Sequence, residues 1–242
     1  MKILITNDDG IFAPGIRALA KWAQTLGEVT VVAPKHEQSA KSHGINIIGE
    51  FEVKEVDFMP GVRAFSVDST PADCIRYALI GLGETFDLVL SGINRGVNVG
   101  RDIVYSGTVA AIFEANCLGA RAAIAMSTEF TSLERAVPHL DEVWAYFEEH
   151  KLLDRHDLYN VNIPEYYTES IRITRQGGAY YSDEFVTTGE NMVRQTGRMV
   201  WRDAKNFDLD CDAVMHGYIS ITPLTLERVD RVVYEDLKQL NQ

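Results

Sequence analysis

The chain has 242 residues, 46% of them hydrophobic and 24% charged, an ordinary balance for a globular protein with a sizeable core. Its formal net charge of −12 argues against a nucleic-acid polymer as partner, because such affinity rests on neutralising phosphates with Lys and Arg. Cys74, Cys117 and Cys211 are too far apart for a disulfide framework or a zinc site, and read as small buried hydrophobes in a reducing compartment.

KILIT, at the start, reads as a buried strand. Its apolar run is too short for a signal peptide and no later stretch reaches membrane-spanning length, so a cytoplasmic location is expected. GIRALAKWAQTLG follows as an amphipathic helix begun near Pro14 and ended by Gly27. EVTVVAP is the next strand. INIIGEFEVKEVDF has β character, RAFSVD is a strand, and a helix is expected from Pro71 to Leu82. FDLVLSG gives another strand, GTVAAIFEANCLG a helix capped by Gly119, RAAIAMS a strand, and about Ser132 to His150 a further helix. This alternation predicts a doubly wound α/β fold with a mostly parallel sheet. Beyond residue 155, LYNVNIP, IRITR and GYISITPL read as strands. Between them EFVTTGENMVRQTGRMVWRDA has the alternation of one or two hairpins around turn residues such as Thr188-Gly189-Glu190-Asn191, an arm that would pack on the body or on another subunit.

Ligands of open α/β sheets bind beyond the carboxyl ends of the strands. Four polar loops are expected there: Asn7-Asp8-Asp9-Gly10, Lys35 to Ser39, Ser69 to Asp73, and the glycine-rich Ser91 to Gly100. Asp8 and Asp9 repel each other. A helix N-cap would also use an acid, but the helix begins later, near Pro14. A divalent cation between the carboxylates removes the conflict, and oxygen ligands suit Mg²⁺ or Mn²⁺. SGINRGVNVG matches neither the dinucleotide nor the P-loop pattern, though its glycines suit an anion cradle and Asn94 and Asn98 offer amide groups. Tyr105-Ser106-Gly107-Thr108 opens a helix, where free N–H groups favour an anion and either hydroxyl serves as a cap. His36 and His43, which flank Ser39, lack a metal-ligand spacing.

Together, ILITNDDGIFAPGIRALA, VVAPKHEQSAKS, VDSTPADC and SGINRGVNVGRDIVYSGTVAAIFEA resemble the SurE (survival protein E) family of 5′-nucleotidases. The resemblance runs from residue 1 to about 128 and returns in LYNVNIP, RITRQGGAY and GYISITPL. It implies one Rossmann-like domain over residues 1–242, with a β-hairpin arm at about 180–205 that builds homodimers or homotetramers. It also implies metal-dependent hydrolysis of nucleoside monophosphates, with some members acting on 3′-nucleotides and polyphosphate. The family's metal ligands fall on Asp8, Asp9, Ser39 and Asn94, with Asp8 and Asp9 at the centre of catalysis. Its phosphate-binding stretch falls on Ser106, Gly107 and Thr108, with Asn98 close by. Ser39-Ala40-Lys41-Ser42 and Asn98-Val99-Gly100-Arg101-Asp102 depart from the family pattern, Lys41 and Arg101 adding positive charge near the expected pocket. A nucleotide sensor without turnover and a metal-dependent transferase are the alternatives on the same scaffold.

Overall fold

The computed structural model describes residues 1–129, 133–167 and 170–241. Its first half runs β1 (Lys2–Thr6), α1 (Pro14–Ala23), β2 (Glu28–Pro34), β3 (Val53–Glu55), β4 (Arg63–Val67), α2 (Pro71–Arg76), β5 (Leu88–Arg95), α3 (Gly107–Cys117) and β6 (Ala123–Thr128). The second half adds α4 (Leu133–Ala136), α5 (Leu140–Glu149), α6 (Leu152–Arg155), β7 (Leu158–Ile163), β8 (Ile171–Ile173), β9 (Tyr181–Gly189), β10 (Met192–Met199), α7 (Asp210–Met215), β11 (Ile219–Pro223) and α8 (Arg231–Leu237). Nine strands form one sheet in the order β3-β4-β2-β1-β5-β6-β7-β11-β8. From β4 to β7 every neighbouring pair is parallel, while β3 and β11 run antiparallel to their neighbours β4 and β7.

Side chains alternate across a strand, so the sheet builds a core on each face. Ile3 and Ile5 pack with Ile16 and Leu19 of α1 and with Leu140, Val143 and Phe147 of α5. Leu4, one residue out of phase, packs with Ile75 of α2 and Val109 and Ile112 of α3. In α1, Pro14 occupies the first turn, where its missing N–H costs nothing, and Ile16, Leu19, Ala20 and Ala23 recur at helical spacing on the buried side. Gly15 is required by space: a Cβ there would lie 2.0 Å from the carbonyl oxygen of Ile93. This close approach seats the start of α1 on the end of β5. The chain leaves β1 for β2 on one side and returns to β5 on the other, which makes the β1/β5 edge the topological switch point.

Several sequence expectations change. The α2 helix ends at Arg76 and passes into a wider π-turn over Tyr77–Gly81. The helix expected to end at His150 is interrupted by a 3₁₀ turn, Val137–His139, around Pro138, and its expected start at Ser132 lies outside the described residues. In INIIGEFEVKEVDF only Val53–Glu55 is strand. Ile47 and Ile48 are 79% and 94% exposed, so that apolar run has no sheet to pack against. Of IRITR only Ile171–Ile173 is strand. Cys117 is exposed, unlike buried Cys74 and Cys211. Among the described residues the arm strands β9 and β10 pair only with each other, with Asn191 in the left-handed region at the turn. Among the described residues no helix is long and apolar enough to cross a membrane.

Candidate active site

Asp8 and Asp9 leave β1 at the switch point, and they do not cap α1, whose N-cap residue is Ala13. Asp8 is 4% exposed, and the Thr108 hydroxyl donates to its Oδ1 at 2.5 Å. Burial nevertheless pushes the Asp8 carboxyl above its usual range, against the Thr108 hydroxyl and the amides at the start of α3. Asp9 is half-buried. Burial first, then the Asp8 charge, push its carboxyl up to about 6, opposed mainly by the Arg95 amide, which donates to Oδ2 at 3.1 Å. Both carboxylates are thus poorly compensated as anions. Gly107 permits the contact with α3, since a Cβ there would lie 2.8 Å from Asp8 Cβ.

The loop after β2 is tied to the pair by the Gln38 amide, which donates to the Asp8 carbonyl at 2.7 Å. Ser39 is exposed and its hydroxyl donates to Glu37 at 2.7 Å. Ser42 then pins the loop to the turn before α3, its hydroxyl donating to the Val104 carbonyl at 2.7 Å and its amide to Tyr105 at 3.0 Å. His43 meets Glu114 of α3 at 2.7 Å, and Arg76 of α2 donates to the same carboxylate at 2.7 Å. The His43 contact first, with Arg76 adding and burial opposing, holds the Glu114 carboxyl below its usual range.

On the other side, the β5–β6 pairing shifts register between Ser91 and Asn94, and the Asn94 side-chain NH₂ donates to the Gly96 carbonyl at 2.6 Å. That bond turns the amide so that its oxygen is the acceptor left for a ligand. Asn98 is fixed by β6 and β7: its NH₂ donates to Ser127 at 2.8 Å, its amide to Asn162 at 2.8 Å, and its carbonyl accepts from Asn160 and Asn162. Ser106 is the N-cap of α3, its Oγ accepting from the Val109 amide at 3.1 Å.

Asp8, Ser39, Asn94, Asn98 and Ser106 line one cavity of about 540 Å³. Asp9 lines a neighbouring recess of about 440 Å³ that shares Asn94 and Arg95 with it. Gly107 and Thr108 stand behind Asp8, and Thr108 is fully buried. Lys41 and Arg101 are exposed and line neither space, although their chain neighbours Ala40 and Asp102 line the first. Among the described residues there is no group of three or more His, Cys, Asp or Glu side chains arranged for a metal ion. The donors present are two carboxylates in need of a counter-charge, an amide oxygen and a hydroxyl, a set that fits a hard divalent cation and not a softer metal.

Sequence reasoning missed the supports. Glu37, Glu114, Asn160 and Asn162 act through neighbours, and only the alternation N-V-N within the buried β7 run signalled that a strand was aiming amides at the crevice.

The fold and site define a doubly wound α/β protein with an acidic, oxygen-lined crevice at its switch point. The family model described as Survival protein SurE matches residues 3–183. The 5′-nucleotidase SurE of Syntrophotalea carbinolica is 39% identical over 99% of this chain and 97% of its own length. That of Clostridium beijerinckii is 36% identical over 99% of each. The crystal structure of the SurE protein from Aquifex aeolicus superposes with a TM-score of 0.80 at 31% identity, covering all of both chains. The chain belongs to the SurE family.

Proposed function

We propose that this chain is a metal-dependent phosphomonoesterase that hydrolyses nucleoside monophosphates to nucleoside and phosphate. The observation that carries it is the under-compensated pair Asp8–Asp9 set directly against the start of α3. Its relatives' names as 5′-nucleotidases support the same substrate class; 3′-nucleotides and polyphosphate, implied by the family resemblance, are further candidates. Asp8, Asp9, Asn94 and Ser39 would hold one Mg²⁺ or Mn²⁺ per subunit. Bound there, the cation supplies a Lewis acid for a phosphate oxygen and an acidified water.

The chain's own groups do the rest. Ser106 accepts the Val109 amide, so its O–H is left to donate to a phosphate oxygen. The amides at the start of α3 add positive potential, and Asn98, locked by β6 and β7, forms the opposite wall. Thr108 keeps Asp8 aimed through its hydroxyl as well as opening the helix. Asp9 takes the proton of the attacking water. The hairpin arm assembles the chain into a homodimer or homotetramer. Phosphate release from a panel of 5′- and 3′-nucleoside monophosphates tests the activity: release with water as acceptor is expected. Tight nucleotide binding without release would replace the esterase by a sensor, and a requirement for another acceptor would replace it by a transferase.

A further inference from the structure

The cavity extends away from the acid pair to the root of the hairpin arm. There it is lined by Tyr181, which opens β9, by Met199, which closes β10, and by Met215 at the end of α7, with Tyr105 also on its wall. Tyr181 is 46% and Tyr105 58% exposed, so both rings offer surface to a ligand. Tyr180 is buried beneath, its hydroxyl donating to the Met215 sulfur at 3.2 Å and its ring meeting that of Tyr181 edge to face at 4.9 Å.

The backbone is clamped at this point. The Asp102 carboxylate accepts both the Tyr180 amide, at 3.1 Å, and the Tyr181 amide, at 2.7 Å. At its other end the arm is held by Asp212, which accepts from the Trp201 indole at 2.8 Å and from the amides of Ala204 and Asn206. Tyr181 is therefore a fixed part of the cavity wall even though the arm beyond it is exposed. Asp8, Asp102 and Glu129 set three carboxylates on the cavity against the guanidinium of Arg95, and Glu129 is close enough to act on Tyr180. That excess of negative charge disfavours a further phosphate. Aromatic faces and thioethers beside carboxylates suit a flat, polarisable, uncharged ring.

We propose that Tyr181 is the face on which the nucleobase stacks, so that the root of the arm selects nucleotides over simpler phosphate esters. This rests on the nucleotidase function proposed above. Base–aromatic stacking changes affinity by roughly tenfold.

The two products of the proposed reaction separate the base from the phosphate. Adenosine and inorganic phosphate are titrated calorimetrically, in Mg²⁺, into the wild type, Tyr181→Ala and Tyr181→Phe. Adenosine binding should weaken about tenfold in Tyr181→Ala and persist in Tyr181→Phe, while phosphate binding stays the same in all three. Unchanged adenosine binding in Tyr181→Ala, equal loss of both ligands, or no adenosine binding by the wild type would overturn the assignment. Because neither probe is hydrolysed, a failure of the esterase appears separately, as absent phosphate release with adenosine binding intact.

Discussion

Glu114 carries two partners on one carboxylate, His43 from the Ser39 loop and Arg76 from α2. With its carboxyl held below the ordinary value of 4.5, the folded state binds fewer protons here than the unfolded state. Its contribution to stability is then full above the unfolded value and is lost as the pH falls through the lowered folded one. Glu114→Gln keeps the shape but not the charge, and should cost about 1–3 kcal/mol at pH 7. Thermal melts should show that deficit shrinking as the pH falls below the ordinary glutamate range; an equal deficit at pH 7 and pH 3.5 would contradict the charge-based account. Asp8 and Asp9 were legible in the sequence because two adjacent acids at the end of a buried strand demand a counter-charge. Thr108 was legible as a hydroxyl at a helix start, but its bond to Asp8, 100 residues away in the chain, had no local signal.

At the scale of elements, the site depends on how closely α3 approaches the end of β1. No positive φ explains Gly107; the nearness of Asp8 and Pro71 does. Gly107→Ala should force the start of α3 outward and lower kcat by about a hundredfold, since a displacement near 1 Å in a catalytic array has that effect. Steady-state kinetics together with a circular-dichroism melt check it: a kcat within a few-fold of wild type would show that the contact is dispensable. The strands β1, β2, β4, β5, β6 and β7 were readable as apolar runs cut by polar loops, and α1 by its period. The short helix α7 was missed because buried Asp210 and Asp212 hide its pattern; they serve as acceptors for loop amides instead of facing solvent. The apolar run Ile45–Ile48 misled because composition does not show whether a neighbouring strand is free to pair.

Across the whole molecule, the exposed arm carries Phe185, Val186, Met192 and Val193, apolar side chains with no partner in the sheet. A two-stranded ribbon is marginal by itself, so another subunit is the expected cover. Replacing residues 183–198 by a short turn should lower the oligomer mass in sedimentation equilibrium and leave the body folded; an unchanged mass would place the interface elsewhere. The layout of parallel strands was available from the sequence, and with it the edge at which the polar loops converge. The closing strands β11 and β8 were seen as strands but not as an antiparallel turn of the sheet, because pairing direction is set by distant partners. The central claim is that Asp8 and Asp9 hold a cation needed for phosphate-ester hydrolysis. Its most direct test is phosphate release from AMP by the metal-stripped protein, then with Mg²⁺ or Mn²⁺ restored, beside Asp9→Asn. Release only on adding metal, and absent from a folded Asp9→Asn, is the result expected; full activity without metal or in the variant would contradict it.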